Sequence, residues 1–291
     1  MHVLRKHKWG WLVFVGPSFL LYTYFVVISL GYSIYYSLTK WNAISKPVFI
    51  GLKNYLDLLN SGDFAIVMQN TVVGLVLALI IQVGLGLTFA YLIFRTKGGF
   101  RLYRALVFLP VVLSAAAVAL MFTLVFNADV GPVNGMLKAI GLGALRRNWL
   151  SDKNVVFFTV LTPMIWQFIG LYVVILLAGM QSIPEEVIQS STIDGASSFR
   201  TFRSIVIPMQ WDIIFICITL ITSGSFKAFE HSYIMTWGGP GVRSAFLGVF
   251  MYNKTFLAAL FGLGSAIAMV ILFASLFITL ASRVIIRRFD Y

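Results

Sequence analysis

The chain has 291 residues, of which 59% are hydrophobic and only 11% charged, with a formal net charge of +12. A soluble domain carries roughly 25% charged residues, so this composition, with a mean hydropathy of +0.91, excludes a water-soluble globule and predicts a multi-span membrane protein. The positive charge then reads as loop topology before nucleic-acid binding, because Lys and Arg hold loops on the cytoplasmic side of a membrane.

Residues 1–10 form a basic N-terminus with Arg5, Lys6 and Lys8. A secretory signal has an apolar core of about 7–15 residues followed by a cleavage site. Here the apolar run continues over 11–38, which predicts a retained first span, kinked at Gly16-Pro17. Trp9, Trp11 and Trp41 near its ends suit interfacial anchoring. Residues 39–67 are a polar extracytoplasmic loop in which 51–59 has the pattern of a short amphipathic helix at the surface.

Residues 68–286 form a five-helix core. The second span covers 68–94, with Gly74, Gly84 and Gly86 permitting close helix approach. The loop 95–104 carries Arg95, Lys97, Arg101 and Arg104 and no acid. A third span over 105–126, with a small-residue packing face at 114–117, leads into a mixed polar loop at 127–154. The fourth span, 155–180, contains Pro163, and a polar stretch at 181–209 follows it. The fifth span is 211–235, a loop opening on WGGPG fills 236–261, and the sixth span is 262–286, with Gly262, Gly264 and Ser265 as small packing positions. Residues 287–291 are a basic C-terminus with Arg287 and Arg288.

Six spans place both termini on one side. That side holds twelve Lys and Arg, Arg283 at the end of the sixth span included, against nine on the longer loops opposite. The denser side is expected to be cytoplasmic, which places both termini and the stretch 181–209 there.

That stretch is the most polar and best punctuated part of the chain. Ser182 and Glu185 have capping-box spacing, with Pro184 in the first turn. Glu185 and Glu186 lie where a helix dipole favours carboxylates. The helix should end near Ile193, because Asp194-Gly195 is a turn signal, and either Asp194 or Ser197 can cap a second helix. Two readings stand on spacing alone: a docking surface for a partner, or a solvated connector.

Ionisable groups at membrane depth usually face protein or a water-filled cavity. Lys227, Glu230 and His231 have the spacing to share one face of the fifth span, where Lys227 and Glu230 can pair. They line a substrate path, or they form an ion pair holding the helix near the outer interface. Trp166 and Gln167 in the fourth span are an aromatic and an amide suited to holding a sugar in the same cavity, to which Tyr233 of the fifth span is added; a single Gln also serves as an interhelical link. The chain has no phosphate-binding loop of the GxxxxGK[ST] type, no HExxH and no nucleophile elbow. Cys217 is the only cysteine, which excludes an internal disulfide and a Cys-rich metal site, and three histidines make a metal cluster improbable. Enzyme activity in this chain is not expected.

Asp194-Gly195-Ala196, followed by Ile205-x-Ile207-Pro208, resembles the signature loop of permease subunits in ABC importers. Further pieces occur in order: GLKNY at 51–55, FLP at 108–110, LAGMQSIPEE at 177–186, FKAFE at 226–230 and MTWGGP at 235–240. These look like the carbohydrate-uptake, maltose-type branch, first permease of a heterodimeric pair. One departure is plain: the family's acidic-Ala-Ala triplet falls on Gln189-Ser190-Ser191.

The resemblance implies an all-α integral membrane protein of the type I importer permease fold, with six transmembrane helices and a coupling loop between spans four and five, in a bacterial or archaeal inner membrane. It implies docking on an ATPase subunit through Glu185, Glu186, Gln189, Ser190, Ser191, Asp194, Gly195, Ala196 and Phe199. It also implies a second permease subunit, two ATP-binding cassette subunits that bind ATP and Mg, an extracytoplasmic binding protein and a sugar substrate. No cofactor is expected in this chain. Alternatives are a glycerol-3-phosphate or related phosphoester permease and a secondary transporter.

Overall fold

The structure, a computed structural model, describes residues 8–96 and 98–286. The basic residues Arg5, Lys6, Lys97, Arg287 and Arg288 lie outside the described residues. Among the described residues, five helices are long and apolar enough to cross a bilayer: Phe14–Ser37, Gly62–Phe94, Val156–Met180, Pro208–Thr236 and Phe261–Ser282. The pair Phe100–Val112 and Ala115–Val125, bent by 90°, passes the same test together and makes a sixth when counted as one broken span.

Two compact units are present. The first comprises residues up to 61 together with 251–272. Its opening helix runs from 8 to 37 with Pro17 inside it, and its irregular hydrogen bonding falls at Thr23–Ile28, a π-helical segment. Two short strands, Thr39–Lys40 and Val48–Phe49, pair antiparallel with Thr39 opposite Phe49. The predicted surface helix forms over Lys53–Leu59. Buried Asn54 donates to the Ser37 and Thr39 carbonyls at 2.8 and 2.9 Å, which ties this helix to the end of the first span. Gly262 is needed for close approach, since a Cβ there would stand 2.0 Å from the Thr39 carbonyl oxygen.

The second unit comprises 62–250 with residues from 273 onward. Its second span begins at Gly62, earlier than the pattern predicts, with Asp63 favourably placed in the first turn. Gly86 lies against Tyr172 and Leu176 of the fourth span and Gly74 against Phe246, whereas Gly84 faces open space. The fourth span, Val156–Met180, is the most enclosed, with 61% of its most apolar window buried. At Gly170 it touches the backbone of the third span: a Cβ would sit 2.0 Å from the Val107 carbonyl oxygen.

Two expected continuous spans are broken. In the third, Leu113 and Ser114 are extended, and Ser114 Oγ accepts from the Ala117 N–H at 3.2 Å. The 114–117 segment is therefore a capped helix start and not a packing face along one helix. In the fifth, the helix Trp211–Phe226 stops, and a new helix begins at Glu230 and ends at Thr236. The residues on either side of the third-span break are apolar, so hydropathy alone does not reveal it, whereas the break in the fifth falls beside the polar residues Lys227, Glu230 and His231.

The segment after the fifth span also differs from the expected loop. Residues 244–250 are buried, and a helix forms over Leu247–Tyr252. Ser232 Oγ donates to the Ser244 carbonyl at 2.7 Å, and Asn70 Nδ2 donates to the Arg243 and Ala245 carbonyls at 3.0 and 3.1 Å. These side chains satisfy backbone acceptors that a non-helical segment leaves open inside protein.

Candidate coupling surface and cavity

The stretch between spans four and five folds as helix, turn, helix. The first helix is Glu185–Ile193, with both glutamates in its first turn. The expected capping box does not form. Ser182 Oγ donates to the Gly179 carbonyl at 2.6 Å, so it closes the preceding helix, and Pro184 takes the N-cap position without a side-chain cap.

The helix ends in a Schellman motif. Gly195 is left-handed at φ +73°, its N–H reaches the Thr192 carbonyl at 3.1 Å, and the Ala196 N–H reaches the Ser191 carbonyl at 2.9 Å. Of the two candidate caps, Ser197 is the one used: its Oγ accepts from the Arg200 N–H at 3.3 Å and opens Ser198–Thr201. Asp194 is the C-cap of the first helix.

The triplet 189–191 divides between two directions. Gln189 Nε2 donates to Glu185 Oε1 at 3.0 Å one turn back, on the exposed side. Ser190 is exposed, whereas Ser191 is 4% exposed and its Oγ lies 3.3 Å from Thr201 Oγ1. Ser191 therefore joins the two helices, and Ile193 and Phe199 stand out from them at 85% and 69% exposure. The second helix rests on the end of span two: Tyr91 Oη donates to the Ser198 carbonyl at 2.9 Å, Arg95 bonds Ser198 Oγ, and the Tyr91 and Phe202 rings are 4.7 Å apart.

A second candidate region lies among the spans. A cavity of about 280 Å³ is lined from span two by Ala78 and Gln82, from the third-span break by Ala115, from span four by Met164, Phe168 and Tyr172, and from span five by Ser225 and 227–231. Lys227, Glu230 and His231 do line it, but not as one helix face. Lys227 is the C-cap of one helix and Glu230 the first residue of the next, and no ion pair joins them. The break at 227–229 changes the register that the spacing argument assumed.

Trp166 does not line the cavity. It is 39% exposed and packs on Phe122, with ring centroids 5.4 Å apart. Adjacent residues on a helix point about 100° apart, so Trp166 and Gln167 cannot share a face. Tyr233 stacks on Phe229 at 4.8 Å and packs on Trp237 at 4.6 Å.

Gln167 is 1% exposed and both ends of its amide are used. Nε2 donates to the Leu113 carbonyl at 2.8 Å, and Oε1 lies 2.9 Å from His231 Nε2. Since the amide nitrogen is spent on a carbonyl, Oε1 accepts, and His231 carries its proton on Nε2. Leu113 is at the break of the third span and His231 at the restart of the fifth. One side chain thus ties both broken spans to the unbroken fourth. Gln82, which donates to the Ile165 carbonyl at 3.2 Å, was missed from sequence, although a lone amide in an apolar run was a readable signal.

A family model for the "binding-protein-dependent transport system inner membrane component" matches residues 82–291. The chain belongs to that family, one of transport permeases and not of enzymes, and is an inner-membrane component. It is 33% identical over 273 residues to the probable ABC transporter permease protein YurN of Bacillus subtilis, covering 92% of each chain. It is 31% identical over 271 residues to the multiple sugar-binding transport system permease protein MsmF of Streptococcus mutans, covering 92% of this chain and 91% of that one. A chain of the crystal structure of a bacterial ABC transporter that imports the acidic polysaccharide alginate superposes with a TM-score of 0.85 over 100% of both chains, at 21% identity. The fold is that of type I importer permeases.

Proposed function

We propose that this chain is one permease subunit of an ATP-driven, binding-protein-dependent importer for a sugar or oligosaccharide. The observation that carries the reading is the helix, Schellman turn and helix at 185–201, with Ile193 and Phe199 held out in the solvent-side loop of a family permease. Two apolar side chains exposed on a polar loop suit insertion into a partner's cleft. The partner is an ATPase subunit that binds ATP and Mg. A second permease chain completes the pathway, and an extracytoplasmic binding protein delivers the substrate. The charge count supports a cytoplasmic position for both termini and the coupling loop.

The coupling path runs through bonded elements. Closure of the ATPase dimer pushes on Glu185–Ile193. The Ser191–Thr201 contact carries that to the second helix, which continues into span five and rests on span two through Ser198. Movement of span five reaches the third-span break through His231 and Gln167, so the cavity walls shift together. The sugar reading is supported by MsmF and by a cavity that offers Phe168 and Phe229 for stacking and Gln82 and Ser225 for hydroxyl groups. Lys227 at the same cavity, without an ion pair to Glu230, is what favours the phosphoester alternative.

The test is co-expression with a candidate ATPase, second permease and binding protein, then uptake into proteoliposomes. The expected result is ATP-dependent uptake of a neutral sugar. Uptake independent of ATP refutes the importer assignment, and uptake of a phosphoester alone refutes the sugar.

A further inference from the structure

We propose that the groove between the third span's first half, Phe100–Val112, and the fourth span is a binding site for an anionic glycerophospholipid. The groove, about 290 Å³, is lined by Phe100, Arg101, Arg104, Ala105, Phe108 and Val174. Arg101, Arg104, Ala105 and Phe108 recur at the spacing of one helix face. Val112, 74% exposed, continues that face toward the break.

The face is therefore graded, cationic at one end and apolar at the other. From Arg101 to Val112 the helix rises about 16 Å at 1.5 Å per residue, which matches one leaflet of a roughly 30 Å hydrocarbon core. A phosphate-bearing headgroup against the two arginines, with an acyl chain along Phe108 and Val112, satisfies both ends. A soluble anion would use only the first.

The charge balance singles out the same place. The loop and helix start over 95–104 hold four basic residues and no acid. Arg95 is engaged by Ser198. Arg101 and Arg104 have no hydrogen-bond or ion-pair partner among the described residues. Basic pockets between membrane helices at the cytoplasmic side suit anionic headgroups. Charge complementarity and continuity with the bilayer select lipid over a protein segment. The helix that would hold the lipid is the one whose far end Gln167 grips at Leu113, so an occupied groove braces a wall of the cavity.

The experiment uses the assembled transporter in nanodiscs of equal parts phosphatidylglycerol and phosphatidylcholine, with retained lipid measured by native mass spectrometry after detergent extraction. Wild type should retain phosphatidylglycerol selectively. R101Q/R104Q should weaken retention about thirtyfold, at roughly 1 kcal/mol per arginine. V174W, which fills the groove and keeps both charges, should also release the lipid. R146Q/K153Q, basic residues on another loop, should retain it. Equal retention by wild type and R101Q/R104Q overturns the proposal. So does displacement of the lipid by inorganic phosphate at equal concentration, which would mark a simple anion site, and so does a protein segment cross-linking into the groove in place of lipid.

Discussion

The coupling loop and the Gln167 junction are both polar constructions in an apolar chain, yet they are built in opposite ways. The loop's geometry is local: its turn bonds join residues within five positions of one another, 191 to 196 and 192 to 195. The junction joins 113, 167 and 231, three positions on three spans. Local geometry tolerates single changes with small penalties. A buried junction, once opened, leaves polar groups with no water to turn to.

Replacing Gln167 with Leu should have the largest effect. It leaves the Leu113 carbonyl without its partner and the buried His231 N–H unpaired, the latter at about 1–3 kcal/mol. Thermal unfolding in detergent should shift down and uptake should fall together. An unchanged melting temperature would mean the junction does not hold the two breaks.

Gly195→Val comes next. Open space surrounds the position, so the penalty is backbone strain at φ +73°, about 1–2 kcal/mol. The expected outcome is normal membrane insertion with reduced co-purification of the ATPase, and Gly195→Asn, which accepts the left-handed region, should restore most of it. Equal loss in both variants would show that shape at the turn is not the cause.

Ser197→Ala removes one cap and should cost about 1 kcal/mol. Its signature is faster amide hydrogen exchange across Ser198–Thr201 with uptake little changed. Gln189→Glu should have the smallest effect. It places a like charge one turn from Glu185, destabilising the exposed helix by about 0.2–0.5 kcal/mol. An increase in ATPase affinity despite that penalty would show that the family's acidic position forms a charge pair with the partner.

The coupling helix and the Gly195 turn were legible because capping and left-handed glycine are rules about neighbouring residues. The one local error, the capping box at Ser182, arose because the preceding helix claimed the same hydroxyl. The Lys227 to His231 face was misread for a different reason. Helical spacing assumes an unbroken helix, and the break at 227–229 is set by what packs around it.

Hydropathy and charge by themselves determined a six-span membrane protein with a polar, well-punctuated loop between spans four and five, because burial in lipid constrains composition residue by residue. Only the tertiary structure decided where spans three and five bend, that Trp166 packs on Phe122 outside the cavity, and that Gln167 is a tie between spans and not an open ligand group. The backbone break at Leu113 is tolerated inside a membrane because a distant side chain, that of Gln167, takes up the freed carbonyl. That pairing has no signature in the order of residues along the chain.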